Sequence, residues 1–339
     1  MSRLHAIGFA AVAILTVAGP AKASEPVADF KDWAVVCDNL HNCVADGFGA
    51  EDADRPAILR LTRGGAANAA LEAEIQVLTV EDGEVLAGKP LVVDIDGRAL
   101  ATIKVGEPLW ARLADAQVGP LLAAARNGTT LTISLEGRPV GVVSLAGMVA
   151  ALRLVDDQQA RVGTVTALVA KGARPASAVP PPPSAPVVRK APAVAQTGLP
   201  AKPPAGVKAL ATKAECDVEQ DGVGEPEVHR LSADQVLWRM PCGAGAYNFT
   251  SLFVVTDNKG GGARLAPIDG ADDGMAVNAQ YDPKTRLLSA YNKGRGVGDC
   301  GDSNEWAWTG QAFVLTHEAT MSVCRGQADW PTSYQAKVE

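Results

Sequence analysis

The chain has 339 residues, 47% of them apolar, six cysteines and a net charge of −7. That length and apolar content suffice for two domains, each with its own core. The acidic balance excludes nucleic acid as a partner, because such binding rests on Lys and Arg neutralising phosphates.

Residues 1–23 predict a removable export signal. Arg3 precedes an apolar run over 6–18, Gly19-Pro20 breaks it, and Ala21-Lys22-Ala23 forms an A-x-A site before Ser24. The run is about 13 residues, short of the roughly 20 that span a bilayer. No later stretch is long and apolar enough for a membrane helix. The first cysteine, Cys37, is too far from the cleavage site to carry a lipid anchor. The expectation is a soluble periplasmic or secreted protein, in a compartment where cysteines pair.

Residues 24–170 predict an N-terminal α+β domain. Strands are expected over 32–37, 44–48, 58–63 and 73–80, where apolar and polar residues alternate along the last two. Asp96-Gly97 marks a hairpin between 91–95 and 99–105. Helical spacing over 109–126 is interrupted at Gly119-Pro120 and stops at Asn127-Gly128. A second hairpin turns at Glu136-Gly137-Arg138. Ser144 can then cap a helix over about 146–157, with Met148, Val149, Ala151, Leu152 and Val155 on its buried face. The expected result is an antiparallel sheet with two packed helices.

Residues 171–208 hold ten prolines, six Lys or Arg and no acid, including Pro180-Pro181-Pro182-Pro183. This composition predicts a disordered basic linker, locally polyproline II. It sits between halves of net charge −8 and −7. Its role is either a spacer or a weak electrostatic tether to anionic peptidoglycan or membrane surface.

Residues 209–339 are richer in turns and predict a disulfide-rich antiparallel β domain with no helix longer than two turns. Strands are expected over 246–256 and 286–291. A glycine-rich loop, Lys293-Gly294-Arg295-Gly296-Val297-Gly298, leads into Asp299-Cys300-Gly301. Trp306 and Trp308 then alternate along a strand that returns after Thr309-Gly310.

The cysteines divide two and four. Cys37 and Cys43 pair within the first half. Cys216, Cys242, Cys300 and Cys324 allow three connectivities, and sequence proximity favours Cys216–Cys242 and Cys300–Cys324. No C-x-x-C occurs and no His stands at zinc-finger spacing, so structural disulfides are expected and no metal or cofactor.

Several segments carry a resemblance. Phe30-x-Asp32-Trp33-x-Val35-x-Cys37-Asp38-Asn39 and Cys43 open the first half. Tyr291-x-Lys293-Gly294-Arg295-Gly296-x-Gly298-Asp299-Cys300-Gly301, Trp306-x-Trp308-x-Gly310, Met321-x-x-Cys324-Arg325 and Trp330-Pro331 follow in the second. Together they resemble a family of exported bacterial proteins classed as a domain of unknown function. The first half alone is distantly similar to the invasion-associated locus B proteins, through its start and the segment Ser144-Leu145-Ala146-Gly147-Met148-Val149-Ala150-Ala151-Leu152. The resemblance implies a Gram-negative envelope or secreted protein. It brings no reaction, ligand or catalytic residue.

The candidate site is the loop over 293–305. Lys293, Arg295 and Asp299, with Trp306 and Trp308 beside them, would form a binding patch with aromatic anchors and an Arg for an anionic group. The competing reading pairs Asp299 with Arg295 internally and buries the tryptophans. Asp299, Asp302, Asn304 and Glu305 also offer hard oxygens for calcium, without the spacing of a known loop. The glycines lack the Lys-Ser/Thr pair of a nucleotide loop. His41, His229 and His317 sit in no catalytic motif, and G-x-S-x-G and H-E-x-x-H are absent. No catalytic residue is assigned. The sequence points to an envelope protein that binds an unidentified partner there or outside the cell. A cell-wall hydrolase and a secreted inhibitor of a foreign enzyme are the alternatives.

Overall fold

The computed structural model describes residues 27–78, 86–106, 109–217 and 224–339, so the expected signal peptide lies outside them. The fold is mostly β, with three α-helices among the described residues.

The first half contains two antiparallel sheets rather than the expected one. The first has six strands in the order Val27–Phe30, Trp33–Cys37, Cys43–Phe48, Ala57–Arg63, Leu71–Val77 and Trp110–Arg112. The second runs Arg138–Ser144, Thr130–Leu135, Pro90–Ile95, Arg98–Lys104. Alternation explains how they pack. Leu59, Leu61, Ala73 and Ile75 of one sheet share a core with Val93, Leu131 and Ile133 of the other. Each such buried Leu, Ile or Val is worth about 1.5–3 kcal/mol.

Helix α1 (Asp115–Ala125) begins later than its apolar spacing suggests. Leu109 takes a left-handed backbone (φ 67°), and Trp110–Arg112 pairs with Leu71–Val77 instead of coiling. The side chain of Gln117 then accepts from the Ala114 N–H at 2.8 Å and closes the helix start. Helix α2 (Met148–Gln158) buries Met148, Ala151, Leu152 and Val155, as the spacing indicates, and packs on the first three strands of the six-stranded sheet.

The second half is a sandwich of two antiparallel sheets. One comprises Glu227–Arg230, Gln235–Ala244, Phe249–Asp257 and Arg264–Leu265, with Met275–Val277 also paired to the third of these. The other runs Gln280–Asp282, Leu287–Lys293, Gly301–Trp308, Phe313–Met321, Thr332–Gln335. Leu237, Phe253 and Val255 face Tyr281, Leu288, Trp306, Trp308 and Phe313 between them. The alternate residues Val236, Trp238, Met240, Leu252 and Val254 point the other way. Helix α3 (Ala205–Lys213) covers them with Val207 and Ala211.

Helix α3 corrects two sequence expectations. A helix of nine residues, just over two turns, is present, and it begins inside the stretch read as linker. The rest of 171–208 is laid along the protein rather than free of it. Arg174 bridges to Thr164, Val187–Val188 pairs in parallel with Lys337–Val338, and the Ala191 N–H donates to the Trp308 carbonyl at 2.8 Å. Gln196 both accepts from the Arg230 N–H and donates to its carbonyl, standing in for a neighbouring strand. Prolines supply no N–H for a ladder, and side chains add to the attachment: Lys190 donates to the Thr285 carbonyl, Arg286 to the Ala191 carbonyl and Arg230 to the Thr197 carbonyl.

The two halves also share a smaller core. Ala34, Phe48 and Ile58, on the outer face of the six-stranded sheet, pack with Cys300, Ala319, Met321 and Trp330. This explains why Trp33–Cys37 is buried on both faces. Asn39 exchanges two hydrogen bonds with the Gln335 backbone across the same junction. The sulfurs are joined as Cys37–Cys43, Cys216–Cys242 and Cys300–Cys324. Among the described residues no helix is long and apolar enough to cross a membrane.

Candidate functional site

The junction of the halves holds a cleft of about 650 Å³. The first half contributes the loop from Gly49 to Pro56 and Leu78. The second contributes Arg295 and the segment from Val323 to Gly326.

Arg295 sits on the glycine-rich loop. The loop closes where the Gly294 N–H donates to the Cys300 carbonyl at 2.7 Å. Asn248 braces its base by donating to the Lys293 carbonyl, and the Tyr291 hydroxyl donates to the Gly298 carbonyl at 2.9 Å. Tyr291 is itself stacked on Trp330, with ring centroids 4.6 Å apart. The Cys300–Cys324 bridge then ties this loop to the segment that carries Arg325.

Each arginine is held from behind by a carboxylate. Asp299, 4% exposed, accepts from Arg295 Nε at 2.7 Å and Nη2 at 2.5 Å. Its second oxygen also accepts from the Gly326 N–H at 2.6 Å. The Arg295 hydrogen bond, which outweighs burial, holds the Asp299 carboxyl below its ordinary range. Arg325 Nη1 donates to Asp32 at 2.5 Å and to the Gly49 carbonyl at 3.0 Å. Burial pushes the Asp32 carboxyl up, but hydrogen bonds from Arg325 and Ser144 and the Arg325 charge bring it below its ordinary range. Arg295 is left with Nη1, and Arg325 with Nε and Nη2, making no hydrogen bond to the described residues. Gly326 forms part of the floor. Its backbone is left-handed (φ 91°), and a side chain there would strike Leu78 at 2.7 Å.

The expected site residues therefore separate. Arg295 lines the cleft and Asp299 orients it. Lys293 ends its strand and does not line the cleft. Trp306 and Trp308 are 5% and 1% exposed and belong to the sandwich core, which corrects their placement beside a ligand. Trp306 Nε1 donates to the Asp269 carbonyl at 2.9 Å, inside the fold. The calcium set does not assemble either. Asp299 is taken by Arg295, and Asp302 accepts from Asn292 and Asn304. Among the described residues no group of three or more His, Cys, Asp or Glu is placed to hold a metal ion. The histidines lie apart: His41 in the turn between Trp33–Cys37 and Cys43–Phe48, His229 edge-on to Tyr281, His317 against Thr332.

Sequence reasoning missed Arg325 and Glu51 as cleft residues. Arg325 stands in a motif segment, but its partner Asp32 is 293 residues away. Glu51 lies in an unremarkable acidic loop and is exposed on the cleft rim.

Three of the segments quoted for the family resemblance thus meet at the cleft from opposite ends of the chain: Asp32, Arg295 with Asp299, and Cys324-Arg325. The chain is 30% identical to the Uncharacterized protein YpfG of Escherichia coli (strain K12), over 89% of this chain and 91% of that one. No solved structure matches it. Residues 27–337, nearly the whole described chain, match the family described as Protein of unknown function (DUF1176), and the chain belongs to that family.

Proposed function

We propose that this is an exported envelope protein that binds rather than catalyses, and that its ligand enters the cleft between the halves. The single observation that carries the reading is the pair Arg295 and Arg325. Both line one cleft, both are fixed by a carboxylate behind them, and both have donors to spare. Pre-fixed guanidinium groups lower the ordering cost of binding and suit the two oxygens of a carboxylate. Glu51, contributed by the other half, is exposed, makes no hydrogen bond to the described residues and can accept from an amide, hydroxyl or ammonium group. A carboxylate with a donor nearby is the chemistry of a short peptide or cell-wall fragment. The signal at residues 1–23 and the three disulfides support export to an oxidising compartment.

The test is titration of the mature protein with muramyl dipeptide and with its carboxamide. The acid should bind at least about tenfold more tightly than the amide, and Arg295→Gln should remove that preference while the protein stays folded, with some loss of melting temperature because Asp299 loses its partner. An undiminished preference for the acid in Arg295→Gln would make the loop purely structural.

A further inference from the structure

A second site lies where helices α1 and α2 meet, outside the cleft. Two cavities of about 540 and 200 Å³ adjoin there, and Arg126 and Val169 line both. The larger is ringed by Lys31, Arg126 and Arg153, with no acidic residue in its lining among the described residues; the Asp32 carboxylate next to Lys31 is taken by Arg325. The smaller runs between α1 and α2. Its walls include Leu122, Leu152 and Leu168, and Lys171 stands at its edge, again with no acid.

That charge pattern is out of place in this chain. The half that carries it has a net charge of −8. The Lys31 and Arg153 side chains make no hydrogen bond or ion pair with any described residue. Arg126 is fixed by one donor, Nη2 to the Val169 carbonyl at 2.8 Å, which sets its guanidinium at the mouth shared by the two cavities. Val149, 42% exposed, leaves an apolar wall open to solvent beside them. A cationic ring alone would suit any anion, and an apolar slot alone would suit any oil. Joined end to end, they match a molecule with an anionic head and one hydrocarbon tail.

We infer that the groove between α1 and α2 binds a single-chain anionic amphiphile of the fatty-acid or lysophospholipid class. The head lies among Lys31, Arg126 and Arg153, and the tail lies along Leu122 and Leu152. The inference does not rest on the cleft reading, since the two sites share no residue. It also gives Lys171 a role beyond that of a linker charge.

The test uses the full mature chain and laurate below its micelle concentration, followed by calorimetry. Laurate should bind saturably at one site. Dodecanol and inorganic phosphate should each bind at least about tenfold more weakly, since each lacks one half of the match. Arg126→Gln/Arg153→Gln should weaken laurate by a similar factor. Ala123→Trp, on the exposed rim of the smaller cavity, should block it with the fold intact by circular dichroism. Equal binding of dodecanol, or of phosphate, would overturn the inference. So would full laurate affinity in either variant. Binding to phosphatidylglycerol vesicles without binding monomeric laurate would also overturn it, making this face a membrane-docking surface.

Discussion

Arg60 is held by two carboxylates of very different exposure, and the difference sets what each is worth. Its Nε and Nη2 reach both oxygens of Asp46 at 2.8 Å, and its Nη1 reaches Asp329 at 2.7 Å. The Arg60 and Asp46 side chains are 9% and 1% exposed, whereas Asp329 is 77% exposed. Removing one partner of a buried pair leaves the other charge uncompensated, at a cost of about 3–5 kcal/mol. An exposed partner is screened by water and contributes about 0–1 kcal/mol. Asp329 also holds Arg60 through its backbone carbonyl at 2.6 Å, which a side-chain change leaves in place. Asp46→Asn should therefore destabilise the protein by several kcal/mol, and Asp329→Asn by less than about 1. Urea unfolding followed by tryptophan fluorescence measures both. A double replacement, Arg60→Met with Asp46→Leu, should recover most of the Asp46→Asn loss, because it leaves no buried charge unpaired. Equal losses from Asp46→Asn and Asp329→Asn would refute the argument from exposure.

Asp299 is depressed in the folded state, so its contribution is present above the ordinary carboxylate value of 3.8 and is lost as pH falls through the lower folded value. Asp299→Asn should flatten the acid limb of melting temperature against pH below about pH 4, and an unchanged limb would show that another group governs it. Trp308→Ala should cost about 3–5 kcal/mol, as for a large core side chain, while leaving muramyl dipeptide affinity of the folded protein unchanged. Loss of affinity at constant stability would restore Trp308 to the site. Deleting Lys337–Val338 and Glu339 removes the partners of Val187–Val188 and of the Lys190 N–H. Trypsin should then cut at Arg189 and Lys190 much faster than in the intact chain, and equal rates would mean that this attachment does not hold the segment.

Much of the fold is legible because alternation and turn residues are local signals. Leu131, Ile133 and Leu135 on one face, with Asp96-Gly97 and Glu136-Gly137 at the turns, lead to the observed hairpins. Cysteine pairing is legible for the same reason, since each pair joins near neighbours in sequence. Trp110–Arg112 is not, because apolar spacing over 109–113 fits a helix and only the pairing with Leu71–Val77 decides otherwise. Composition hides the docking of residues 171–208, which depends on a few anchors such as Val179, Val188 and Gln196 rather than on a run of apolar residues. Helix α3 is similarly obscured, since only Val207 and Ala211 of its residues are buried. At the site, the spacing of Trp306 and Trp308 places them on one face but does not say which. The pairing of Arg325 with Asp32 depends on how the halves meet, and no local pattern encodes that.

A crystal structure of the mature protein with muramyl dipeptide bound tests the central claim most directly. Cleft binding places the ligand carboxylate on the remaining nitrogens of Arg295 and Arg325, with Glu51 accepting from an amide or hydroxyl group. Ligand density elsewhere on the protein, with the cleft arginines untouched, would contradict it.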